Sequence, residues 1–342
     1  AAVSCNIETR REIENKREKL REKARLRKLS RDVPVDQYAL ILIVEYLDLL
    51  EKEGMDHDLL AVYELVCGLA ASVNSPSMPA WAEKRLNLYL IAKGTKQEPI
   101  AFFSDTSTGG GIFVNDARSR SEIAYCTFDN LSNPNNEIWS VSGAINFNES
   151  DVTISNCVFK NNRCEDGLNI IRSQFTMSST RFQDTFSDSF DGDFVAGTIT
   201  DCQFYNAGND AIDVSGSQLT LRDVLIKNPL DKAISAGEAS VISGESIQVF
   251  DGEIGIVSKD LSRVLLEDVL IENTRLGFSS FQKKSEYGKA SIDISRLSQV
   301  NNETDFLIES GCRLTINNEK MPTISSKVIE QMYGAEYGKS SK

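Results

Sequence analysis

From Val141 onward, apolar residues return every 22 or 23 positions, and between returns they alternate with polar residues at the two-residue period of a β-strand. One apolar column holds Ile145, Leu168, Phe190, Ile212, Ile234, Ile256 and Phe278. A second holds Phe159, Phe182, Phe204, Ile226, Val249 and Ile271, and a third holds Cys157, Thr180, Cys202, Val224, Ile247 and Val269. A repeat this short cannot bury its apolar residues alone, so the pattern predicts one supersecondary unit stacked on its neighbours.

Two residues after the second column stands a turn position occupied by Asn161, Asp184, Asn206, Asn228, Asp251 and Asn273. Stacked Asn and Asp at every turn are expected to hydrogen-bond the turn backbone of the next coil. With its three columns and its Asn/Asp turns, the chain resembles the right-handed parallel β-helix of the pectate-lyase type, with its internal asparagine ladder. The resemblance covers roughly residues 109 to 322. It implies a mainly β, single-stranded solenoid, and it matches no activity family residue by residue.

Upstream the periodicity changes. Residues 1–33 read as a charged basic helix or arm, and residues 34–96 as three helices that form a bundle or cap. A cap over the first coil would shield open sheet edges. Residues 97–322 are expected to be the β-helix and residues 323–342 a tail covering its C-terminal end. The stretches from Leu131 to Gly143 and from Gln282 to Ser291 break the repeat and read as surface loops.

Composition narrows the chemistry. The chain has 342 residues and a net charge of −13, yet residues 1–32 carry eleven Lys/Arg against six Asp/Glu, so the remainder holds −18. An acidic body argues against nucleic acid as a partner. The strongest apolar run, Ala39–Val44, is too short to span a bilayer. Seven cysteines show no CxxC pair; those of the solenoid are expected to be buried thiols, with Cys126 in the column of Cys157. Cys5, in AAVSC, is a weak match to a lipid-anchored cysteine after leader removal. The single histidine, His57, lies in the helical region, so histidine catalysis on the solenoid has no raw material. No nucleotide-binding motif or organic cofactor site is read from the sequence.

Candidate chemistry gathers around the first apolar column. Asn146, Asn169, Asp191, Asp213, Ser235 and Val257 follow it in successive coils; two residues further on come Asn148, Ile171, Asp193, Ser215, Gly237 and Lys259. Asp166, Asp188, Asp210 and Lys232 precede it, and Ala144, Gly167, Ser189, Ala211, Ala233, Gly255 and Gly277 read as a flat outward floor of small residues. Carboxylates stacked about 5 Å apart repel and need a cation, a proton or good solvation. Asp191, Asp193 and Asp213 are therefore candidate calcium ligands. Lys232 and Lys259 are candidate bases, and Asn169, Asp188, Asp210, Lys283 and Lys284 candidate substrate contacts. Asp188 and Asp210, beside turns, also suit backbone capping.

Two functions remain open. In one, the Asp-rich face binds an extended acidic polysaccharide and processes it, by the lyase or epimerase chemistry that the resemblance implies or by an Asp pair acting as acid and base in hydrolysis. In the other, the solenoid is a non-catalytic scaffold or adhesion module and residues 1–96 dock a protein partner. The resemblance also implies an extracellular, periplasmic or cell-surface location.

Overall fold

The computed structural model describes residues 89–105, 109–117, 119–135, 140–324 and 328–338. The expectations for the basic arm, for Cys5 and for the helical region up to residue 88 lie outside the described residues.

The repeat closes into a parallel β-helix. Residues 22 or 23 apart become register partners, so Phe190 pairs with Ile212 and Ile212 with Ile234. Stacked in this way, the strands build a nine-stranded sheet and a fifteen-stranded sheet. Three corners shape the coils, most of them made by one residue in the left-handed region, where Asn and Asp are tolerated better than most side chains; at the third corner of two later coils a pair does this, Glu238–Ala239 and Asp260–Leu261. Asn156, Asp201, Asp223 and Asp268 occupy the first corner; Asn161, Asp184, Asn206, Asn228 and Asn273 the second; Glu149, Arg172, Phe194 and Gly216 the third. Asp201 and Asp223 bend the ten-residue strands Ala196–Tyr205 and Gln218–Lys227 without interrupting them.

The asparagine ladder differs from its expectation. Asn206 Nδ2 donates to Asp184 Oδ1 at 2.7 Å, and Asn228 Nδ2 to Asn206 Oδ1 at 2.9 Å. These side chains bond one another at the surface, because the main chain already pairs coil to coil there, as Asn206 N does with Lys227 O. The buried ladder is made of serines instead. Ser150 N donates to Ser173 Oγ, Ser217 N to Ser240 Oγ, and Ser240 N to Ser262 Oγ, at 2.8, 3.0 and 3.1 Å.

Inside, Phe102, Phe128, Phe159, Phe182 and Phe204 stack with ring centroids 4.6–5.1 Å apart, and Ile226, Val249 and Ile271 continue the column. Cys126, Cys157 and Cys202 are buried free thiols in the neighbouring column, as read from the sequence.

Two boundaries move. Ile91–Lys93, expected in the last helix, is a strand paired parallel to Glu122–Ala124; Ala92 is buried in the solenoid core, so the β-helix begins before residue 97. At the other end the tail forms a helix, Val328–Tyr333, that packs against a side of the solenoid. Val328 and Met332 join Ile254, Val257, Leu276, Phe281 and Leu307 in a second apolar cluster, because those coils turn apolar side chains outward.

Candidate functional site

In the strands Asp166–Ile171 and Asp188–Asp193 of the nine-stranded sheet the two-residue alternation fails once. A Cβ on Gly167 would meet Thr185 and Phe182 of the interior, and Ser189 shares a 2.9 Å hydrogen bond with Thr185. The small-residue column therefore points inward, beside the inward Phe190, and is not a surface floor. Two successive inward residues bend the strand locally, and because neighbouring strands bend at the same place the one-to-one register is kept. That reversal turns the preceding column outward: a Cβ on Gly143 would meet Asn146 and Asn169.

Three outward columns follow from this geometry. The first reads Gly143, Asp166, Asp188, Asp210, Lys232, Ile254 and Leu276. The second reads Phe113, Asn146, Asn169, Asp191, Asp213, Ser235, Val257, Ser279 and Leu307. The third reads Asn115, Asn148, Ile171, Asp193, Ser215 and Gly237, then Lys259 and Phe281. The outer face thus passes from amides through carboxylates and lysines to apolar residues under the C-terminal helix.

Hydrogen bonds run from coil to coil through the acids. Asp210 N donates to Asp188 Oδ1 at 2.8 Å and Lys232 N to Asp210 Oδ1 at 2.9 Å, so both carboxyls cap the backbone of the next strand. Asn169 Nδ2 donates to Asp191 Oδ2 at 2.8 Å and to Asp166 Oδ2 at 3.3 Å. Asp166, Asp188 and Asp210 are buried, whereas Asp191, Asp193 and Asp213 reach solvent.

Crowding of acids out of water favours their neutral forms. Burial, aided by Asp210, pushes Asp188 up to about 8. Burial pushes Asp166 up to about 7, with Glu165 and Asp213 adding to it and Ser142 opposing. Burial raises Asp210 to about 6, against the opposing pull of the adjacent Lys232. Asp191 is held well above the ordinary carboxyl range by burial and by Asp166, Asp193 and Asp213, and Asp193 is raised by burial and Asp213.

Both candidate bases are held as ammonium ions. Lys232 Nζ lies 3.3 Å from Asp210 Oδ1 and 2.6 Å from Asp231 Oδ2; burial works against its charge, but these acids raise its pKa above the ordinary lysine value. Lys259 Nζ donates to Ser235 Oγ at 2.9 Å and stands 3.8 Å from Asp213 Oδ1. Its pKa is raised too, since Asp213 leads the neighbours that offset burial. The stem of Lys259 crosses Gly237, where a Cβ would lie 2.8 Å from its Cε. Lys284 pairs with Glu238, and Lys283 Nζ sits 4.5 Å from the centroid of the Tyr333 ring.

The structure thus gathers Asn169, Asp188, Asp191, Asp193, Asp210, Asp213, Lys232 and Lys259 on one face and leaves Lys283 and Lys284 at its edge. Among the described residues no three acidic, cysteine or histidine side chains converge as a metal cage. Of the expected calcium ligands, Asp191 accepts a hydrogen bond from Asn169 and Asp213 stands beside the Lys259 ammonium. Asp231 was missed as a site residue, although its place next to Lys232 in sequence was a usable signal.

No protein-family model matches the chain, and no curated protein matches it. Among solved structures it is similar to a catalytic domain of a GH87 α-1,3-glucanase in complex with nigerose, at 12% identity and a TM-score of 0.32. That match covers 70% of this chain and 61% of the other, so the chain spans about three fifths of that domain. The catalytic unit of a thermostable GH87 α-1,3-glucanase from Streptomyces thermodiastaticus strain HF3-3 is similar at 10% identity and a TM-score of 0.27, over 67% of this chain and 62% of the other. Superpositions this loose carry no information about activity. Among the described residues no helix is long and apolar enough to cross a membrane.

Proposed function

We propose that the protein binds a polysaccharide on the outer face of the nine-stranded sheet and hydrolyses it by carboxyl acid–base chemistry. One observation carries this reading: neighbouring outward carboxyls whose environment favours protons stand beside one held against an ammonium. Asp191 reaches solvent and is biased towards its protonated form, which suits donation of a proton to a glycosidic oxygen. Asp213, opposite it on the next strand at the ~4.8 Å spacing of parallel neighbours, stands too close for a water between the two carboxyls. It therefore attacks the anomeric carbon as the C–O bond to the protonated leaving oxygen breaks; a water that gives its proton to Asp191 then cleaves the glycosyl–Asp213 ester. Lys259 and Ser235 hold that side of the site, and Asp188 and Asp210 hold the backbone beneath.

β-Elimination is less well supported, because it needs a neutral lysine and both lysines are kept charged. The acidic-polymer expectation is weakened by the same pairs. Lys232, Lys259 and Lys284 each face a carboxylate, so an uncharged glycan suits the surface better. A scaffold reading is favoured by one fact, that Asp188 and Asp210 each spend an oxygen on backbone N–H groups.

The test is release of reducing ends from neutral polysaccharides (α- and β-linked glucans, mannan and xylan) between pH 4 and 8. Release is expected from one of them and should fall at least a hundredfold in Asp191→Asn and Asp213→Asn proteins of unchanged melting temperature. Binding without release in the wild type would leave the scaffold.

A further inference from the structure

The strand Asp188–Asp193 is bracketed by two aromatic residues that stay largely exposed. Phe186 is 66% exposed just before it, and Phe194 is 52% exposed just after it. The backbone ladders align Phe186 with Arg163 on one side and Gly208 on the other, and Phe194 with Arg172 and Gly216. Three successive coils therefore end in an arginine pair, a phenylalanine pair and a glycine pair.

Gly216 makes room for the Phe194 ring, and Gly208 for the backbone at Phe186. A Cβ on Gly216 would come within 2.6 Å of the Phe194 ring, and a Cβ on Gly208 within 2.1 Å of the Phe186 carbonyl oxygen. Arg172 lies 5.4 Å from the Phe194 ring centre and also acts on the charge of Asp193, which ties this ring to the acidic columns. Exposed aromatic rings at both ends of a polar strand match a sugar chain, whose C–H faces stack on rings while its hydroxyls meet carboxyls and amides.

A second observation sets direction. A glycan running along the solenoid axis would meet the Val328–Tyr333 helix over the outward side of Ile254–Lys259 and Leu276–Phe281. Among the described residues, a glycan running along the strand meets no such obstacle and passes from Phe186 over Asp188, Asp191 and Asp193 to Phe194. The eight residue steps between the rings span at most about 26 Å at ~3.3 Å each.

We infer that Phe186 and Phe194 are sugar-stacking residues and that the glycan crosses the coils parallel to this strand instead of following the solenoid axis. This rests on the polysaccharide reading above. Phe113 offers the contrasting control, since it is an outward aromatic in the Asp191 column three coils away and so lies on the axial path.

Calorimetry with neutral gluco- and manno-oligosaccharides of two to seven units, on the Asp191→Asn protein to prevent turnover, separates the outcomes. Phe186→Ala and Phe194→Ala are each expected to weaken binding of the longer members roughly three- to tenfold. Phe186→Ala should leave the melting temperature unchanged, Phe194→Ala should lower it only slightly through its contacts with Arg172 and Gly216, and Phe186→Trp should restore the affinity lost in Phe186→Ala. Phe113→Ala should leave binding unchanged. A loss in Phe113→Ala with none in the two flanking variants would overturn the crossing geometry while leaving a polysaccharide site intact. Absence of binding by both the Asp191→Asn and the wild-type proteins would remove the polysaccharide reading itself.

Discussion

Replacing Lys232 with methionine keeps most of the buried stem and removes its charge. The ammonium now stands between Asp210 and Asp231, with side-chain exposures of 6% for the lysine and 3% for Asp210. Breaking a buried pair by deleting one partner costs about 3–5 kcal/mol, because the other charge is left uncompensated. In a domain of 150–250 residues that corresponds to a fall in melting temperature of about 6–20 °C. The loss must depend on pH. Asp210 already titrates near 6 with Lys232 present, and without it the value can only rise. A carboxyl whose folded pKa exceeds its unfolded value contributes stability that is complete below pH ~3.9 and lost as pH climbs through the folded value. Lys232, raised above the ordinary lysine range, stays charged throughout this window. The full loss is therefore expected at pH 8 and less than half of it at pH 5, where Asp210 can take a proton. Thermal unfolding followed by circular dichroism at both pH values measures this, and Lys232→Met/Asp210→Asn should recover most of the loss at pH 8. Equal losses at both pH values would show that Lys232 acts through packing; no loss at pH 8 would show that Asp210 is effectively solvated.

Two further outcomes are expected. Phe159→Ala, in the middle of the ring stack and fully buried, should destabilise the solenoid by about 3–5 kcal/mol, read from the denaturant midpoint, because the rings 4.8 and 4.6 Å away hold the cavity open. The wild-type melting temperature should fall as pH rises from about 4 to 8, following the raised values of Asp166 and Asp188; Asp188→Asn, which keeps the oxygen that accepts Asp210 N, should flatten that slope and raise the melting temperature at pH 8. A slope of opposite sign would contradict the carboxyl arrangement.

Much of the fold was legible because in-register stacking turns a sequence period into a spatial column. Ile145 through Phe278, the phenylalanine column and the buried thiols could all be placed in this way. Legibility failed where a local rule broke. Ala144, Gly167 and Ser189 alternate correctly in sequence only if each strand is regular, and the inward pair at Ser189–Phe190 reverses them. The serine ladder shares the same period but went unread, since Val195 interrupts it. Ile91–Lys93 looked helical because its partner lies some thirty residues downstream. For the site, the Asp210–Lys232 pair could be inferred from their common column. Lys259 reaching Asp213 could not, since that contact runs diagonally over two coils and exists because Gly237 has no side chain.

The inward pair also gives the sheet a geometry that a regular strand would lack. Outward residues on each strand fall three and then two positions apart, as at Asp188, Asp191 and Asp193, while neighbouring strands repeat them at ~4.8 Å. The exterior of the nine-stranded sheet is consequently a two-dimensional grid, each peg set by one codon and the registration carried by the opposite side of the strand. Moving the acidic patch by one coil, or doubling it, would take a handful of substitutions and leave the interior untouched.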